Sequence, residues 1–132
     1  MKLKVGIFDS GIGGFTVLKS LLIKNKDVEV LYLADMERNP YGNKNEEDIR
    51  IIASEISNWF KDKKLDALLV ACNTTNSCAL DILKGSLNIP CFDLINSVSS
   101  IISEEKVGIL ATSATVKSSI YKRKIESNYK KV

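Results

Sequence analysis

The chain has 132 residues, 45% of them hydrophobic and 27% charged, the composition of one globular domain; collagen-like, disordered and disulfide-scaffold classes are excluded. Nineteen Lys and Arg against sixteen Asp and Glu leave +3, too slight a bias to argue for nucleic acid or an anionic membrane as partner. Apolar runs such as Ala67 to Cys72 fall far below the ~20 residues of a membrane span. Lys2-Leu3-Lys4 leads straight into a strand-like run rather than a secretory signal, so the cytoplasm is the expected compartment. The three cysteines, Cys72, Cys78 and Cys91, show no C-x-x-C spacing, and the chain has no histidine. No disulfide framework or metal site is expected, and Ser-His or Cys-His devices built from this chain alone are excluded.

In chain order, Leu3–Phe8 reads as a first strand, closed by Asp9-Ser10-Gly11-Ile12-Gly13-Gly14. A helix follows with Val17, Leu18, Leu21 and Leu22 on one stripe, then a second strand over Val28–Leu33. The segment Ala34–Asn45, with Asn39-Pro40 and Tyr41-Gly42-Asn43, is a long turn-rich loop. Asn45 suits an N-cap, with Glu46, Glu47 and Asp48 at the positive end of the helix dipole. Ile49, Ile52, Ala53, Ile56, Trp59 and Phe60 then recur with a 3.6 period. Leu65–Ala71 suits a strand buried on both faces. Thr75, Cys78, Ala79, Ile82 and Leu83 mark a helix ending near Gly85. A fourth strand is expected over Ile89–Phe92, a short helix over Val98–Ile102, a fifth strand over Val107–Ala111 and a last helix through Val116, Ile120, Tyr121 and Ile125. The polar tail from Glu126 to Val132 is expected to fray. This alternation predicts an α/β fold, a mainly parallel sheet with helices on both faces. Ligands of such sheets bind beyond the carboxyl ends of the strands, where the loops Asp9–Gly14, Ala34–Asn45 and Ala71–Thr75 lie.

The first loop offers glycines that let backbone approach an anion. It matches no dinucleotide fingerprint, since Thr16 stands at the third small position, and an aspartyl phosphotransferase would want a carboxylate where Gly11 stands. A plain tight turn with Asp9 as a local cap is the alternative. In the third loop, Cys72 ends a buried strand just before Asn73-Thr74-Thr75 opens a helix. Free N–H groups at a helix start favour a thiolate, which can act as nucleophile or general base; the alternative is one more small buried side chain. Cys78 shares an apolar helical stripe and Cys91 lies in a strand, so both are expected in the core.

VGIFDSGIGGFTVLK, NPYGN, LLVACNTTNS and GILATSATVKSSIY stand in the order and spacing of a glutamate racemase, and the resemblance runs from Val5 to about Ile125. It implies the aspartate/glutamate racemase-like fold and cofactor-independent conversion of L-glutamate to D-glutamate for peptidoglycan. Cys72 matches the first of the family's two catalytic cysteines. Asp9 and Ser10, Tyr41 and Gly42, and Asn73 and Thr74 match its substrate-contacting pairs, and Thr115 matches a further contact. Ala34, Met36 and Ser97-Val98 depart from the family's usual Gly, Thr and Pro-Gly. The resemblance implies a first domain over residues 1–96 and the start of a second over 97–132, without the second half's Cys-Thr-His motif. No cofactor is implied, and glutamate is the small-molecule partner. A homo-oligomer is an open expectation. The alternative is a truncated, non-catalytic domain that binds a small acidic amino acid or a partner chain.

Overall fold

The computed structural model describes residues 2–129. Leu3–Asp9 forms β1, Phe15–Lys24 α1, Val28–Ala34 β2, Glu46–Lys61 α2, Ala67–Val70 β3 and Asn73–Cys78 α3. Leu80–Ser86 is α4, Cys91–Asp93 β4, Leu94–Ser99 α5, Ser113–Ser118 α6 and Ile120–Tyr129 α7, with a single 3-10 turn at Tyr41–Asn43. The four strands form one parallel sheet in the order β2-β1-β3-β4. The order reverses at β1, so right-handed crossovers put α1 and α2 on opposite faces and open a crevice between β1 and β3.

One face carries the core. Phe8, Leu68 and Val70 meet Ile49, Ile52, Ala53, Ile56 and Phe60 of α2, with Leu83 of α4 completing the cluster. The 3.6-residue stripe therefore does what its spacing predicts, except that Trp59 is partly exposed beneath Lys63, whose ammonium stands 4.4 Å from the ring centre. Asn45 caps α2, accepting the Asp48 N–H at 2.8 Å. The opposite face is thinner. Val5 and Ile7 are buried there, yet α1 has no buried residue: Val17, Leu18 and Leu21 are half-buried and Leu22 is exposed.

Several expectations are corrected. Val107–Ala111 is not a fifth strand: it runs exposed with Leu110 wholly in solvent, because no neighbouring strand among the described residues offers it a ladder. The short helix expected at 98–102 lies earlier, over Leu94–Ser99, because Asp93 caps it by accepting the Asn96 N–H at 2.7 Å. The helix through Thr75 and Leu83 is two helices, broken at Ala79, whose φ of −149° and ψ of 18° lie outside the helical region. Cys91 is half-buried at the edge of the core rather than inside it. Helix α7 continues through the expected frayed tail to Tyr129, and residues 130–132 lie outside the described part.

Candidate functional site

The crevice between β1 and β3 receives the two loops richest in chemistry. Phe8 and Val70 are paired in register, so Asp9 and Ala71-Cys72 leave neighbouring strand ends together. Ala71 N–H donates to the Phe8 carbonyl at 2.8 Å and Asp35 N–H to the Asp9 carbonyl at 3.0 Å, extending the sheet into the loops. Asp9 is buried, and its Oδ2 accepts the Gly14 N–H at 2.9 Å, closing the glycine loop. It is both the local cap and a wall of the crevice.

Cys72 is the N-cap residue of α3; its carbonyl accepts the Asn76 N–H at 2.9 Å, while its thiol makes no capping bond. The residue is buried and borders the crevice, a cleft of about 300 Å³ lined by Asp9, Ser10, Cys72, Asn73, Thr74 and Thr112, among others. Asn73 Oδ1 accepts from the Tyr121 hydroxyl at 2.6 Å, which aims the amide from α7.

Of the residues expected at the site, the cleft brings together Asp9, Ser10, Cys72, Asn73 and Thr74. Tyr41 turns away: its ring is buried 6.4 Å from that of Phe8, and its hydroxyl donates to Asp35, which also pairs with Arg38 at 2.6 Å. Burial, then the Asp35 hydrogen bond and charge, push the Tyr41 hydroxyl well above its ordinary pKa, so it remains a donor. Gly42 borders a separate cleft of about 470 Å³ with Ser113 and Lys117. Thr115 stands behind Thr112, from which it accepts a hydrogen bond at 3.1 Å. Thr112 itself was the residue missed by motif reading, although it lies in the same ATSAT run three places earlier. Tyr32, Asp35 and Arg38 carried no sequence signal.

The other two thiols are set apart. Burial pushes the pKa of Cys78 up, with Glu46 and Cys72 adding to it, and burial also raises that of Cys91. The site is therefore one thiol and one carboxylate, with hydroxyl and amide donors around them, at the switch point of a parallel sheet. That is the arrangement of an α/β acid–base site able to hold a small anionic molecule.

No family model matches the chain. It is 56% identical over 119 residues to the glutamate racemase of Prochlorococcus marinus strain NATL2A, covering 90% of this chain and 45% of that one. It is 41% identical over 128 residues to the glutamate racemase of Aquifex pyrophilus, covering 94% and 50%. The Francisella tularensis glutamate racemase solved in complex with D-glutamate superposes with a TM-score of 0.93 at 33% identity, covering 96% of this chain and 49% of that one. The Aquifex pyrophilus structure gives a TM-score of 0.88 at 40% identity. The resemblance read from DSGIGG, PYG and CNT is borne out: nearly the whole chain is similar, in sequence and in fold, to glutamate racemases. The chain spans about half the length of the curated relatives it matches, a share that fits their N-terminal half.

Proposed function

We propose that the chain is the Cys72-bearing half of a cofactor-independent glutamate racemase, an isomerase, with Cys72 as one of two acid–base groups. The observation that carries this reading is the placement of Cys72 at the head of α3, beside Asp9 in one cleft, in a chain 56% identical to such an enzyme. Glutamate as substrate is supported by relatives solved with D-glutamate and with L-glutamate.

In this mechanism the Cys72 thiolate takes the α-proton and becomes a thiol. The electron pair left on carbon spreads into the α-carboxylate, where donors of Ser10 and Asn73 and the Thr74 backbone N–H at the start of α3 meet the growing charge. A second acid on the opposite face returns a proton and inverts the centre. Asp9 and Ser10 with Asn73 and Thr74 contact the substrate. Gly42 and Thr115 act on the site through Thr112, against which both lie, and Tyr41 holds the 3-10 turn through its bond to Asp35. The product suits peptidoglycan synthesis in the cytoplasm, a compartment consistent with three free thiols. In this reading residues 1–96 are the first domain and 97–132 the start of a second, joined through α5; every strand of the described sheet lies in the first part.

A chimera joining residues 1–129 to the remaining half of the NATL2A enzyme tests the reading. Circular dichroism should follow conversion of L-glutamate to D-glutamate, and Cys72→Ala should abolish it. A folded chimera that is inactive, or equally active with Cys72→Ala, overturns it.

A further inference from the structure

Tyr32 lies outside every motif that pointed to the site, yet it stands at the base of the glycine loop. Its ring stacks on Phe15, centres 4.7 Å apart and planes 23° from parallel. Its hydroxyl donates to the Gly11 carbonyl at 3.2 Å. Gly14 leaves the room for this: a Cβ there would stand 2.6 Å from the Tyr32 oxygen, 2.9 Å from the Asp9 Cβ and 3.1 Å from the Ala71 Cβ. The hydroxyl, the Asp9 side chain and the end of β3 thus surround one backbone position. Burial raises the Tyr32 pKa first, then the charge of Asp9 and a hydrogen bond to it, and then the Cys72 charge. The hydroxyl therefore stays a donor at neutral and mildly alkaline pH.

We propose that Tyr32 is a positioning residue for the Cys72 site: its hydroxyl holds the Gly11 carbonyl beside the Asp9 side chain and so sets how much negative charge Cys72 faces. The inference rests on the proposed role of Cys72, but its test reads the thiol directly and does not need racemisation.

The probe is iodoacetamide labelling of Cys72 in the 132-residue chain, followed by peptide mass spectrometry from about pH 6 to about pH 9. Asp9, Tyr32, Tyr41 and Cys78 are the titratable groups that share its surroundings, and Tyr41 and Cys78 are unchanged in every variant. Tyr32→Phe keeps the ring and removes the donor. Asp9 then presents more of its charge to the thiolate, so the midpoint of the labelling profile should rise by about half to one pH unit, and labelling below it should slow about three- to tenfold. Asp9→Asn should lower the midpoint, and adding Tyr32→Phe to it should change nothing more. Phe15→Leu should lower thermal stability without moving the profile. An unmoved profile in Tyr32→Phe, the same shift without Asp9, or the same shift in Phe15→Leu overturns the proposal. So does a Tyr32→Phe chain that fails to fold by circular dichroism, since the hydroxyl would then hold the fold rather than the site.

Discussion

The Thr112 hydroxyl stands 3.1 Å from that of Thr74, across 38 positions of sequence. Thr112 donates onward to Thr115 at 3.1 Å, so it accepts from Thr74, and one side chain joins the start of α6 to a residue two places after Cys72. On its other side Gly42 presses against it. The exposed segment before α6 is therefore anchored at the cleft even though it enters no sheet.

That contact leaves no room for a side chain at position 42. A Cβ on Gly42 would lie 2.7 Å from both Cβ and Cγ2 of Thr112, so Gly42→Ala must push α6 off the 3-10 turn. We expect a loss of about 1–3 kcal/mol. Thr112→Val, which strands the Thr74 hydroxyl, should lose about 1 kcal/mol. Urea denaturation followed by circular dichroism measures both, and unchanged midpoints would show that α6 is held elsewhere.

Cys72 should be the first thiol to react. Although only 3% exposed, it borders the cleft at a helix start, whereas burial raises the pKa of Cys78 and Cys91 and so disfavours their thiolates. At mildly alkaline pH, peptide mapping after brief iodoacetamide treatment should find the label at Cys72. Faster labelling of the half-buried Cys91 would show that exposure, not site chemistry, controls reactivity.

Much of this architecture is legible in the sequence because it rests on local signals. The short apolar run of β1, the stripe of α2 and the Asn45 cap each need only their own neighbours. The convergence of Asp9 and Cys72 is legible too, since parallel strands must release their loops on one edge. Val107–Ala111 has the chemistry of a strand, but apolar β-branched residues declare a tendency and not a partner. Tyr41 shows the same gap at the level of one side chain. A tyrosine in a turn can face either way, and its direction is set by Asp35 six residues earlier, a pairing no spacing rule announces.

Asp93 gives the fold an acid-sensitive joint. Burial disfavours its charge, but the Asn96 backbone and side-chain N–H groups and Lys84 outweigh this and hold its pKa below 3.8. A depressed carboxylate stabilises the fold above its unfolded pKa, and that contribution fades as pH falls through the folded value. Asp93→Ala, which removes the α5 cap and the Lys84 partner at 3.0 Å, should therefore lose about 1–2 kcal/mol at neutral pH. The gap between variant and parent in urea midpoint should narrow as pH drops below about 4. A gap that stays constant into acid would mean that packing, not charge, accounts for the loss.

The 132-residue chain by itself should not invert glutamate. Inversion needs a proton removed from one face of the α-carbon and another delivered to the opposite face. Asp9 and Cys72, the two titratable groups lining the cleft, follow adjacent strands whose ends are in register, so they approach a bound molecule from one side. Cys78 and Cys91 line no part of it, and the sequence contains no histidine. The cleft is also open to solvent, and water there weakens the contacts that would stabilise charge on the α-carboxylate. Exposed Ile12, Phe15, Ile23 and Leu110 leave apolar surface that should drive self-association as well. Purified chain, free of host racemase, should leave the circular dichroism of L-glutamate unchanged beside a Cys72→Ala control, and light scattering should show species larger than a monomer. Cys72-dependent loss of the signal at a rate near that of an intact racemase would mean that the second proton donor is already within this chain.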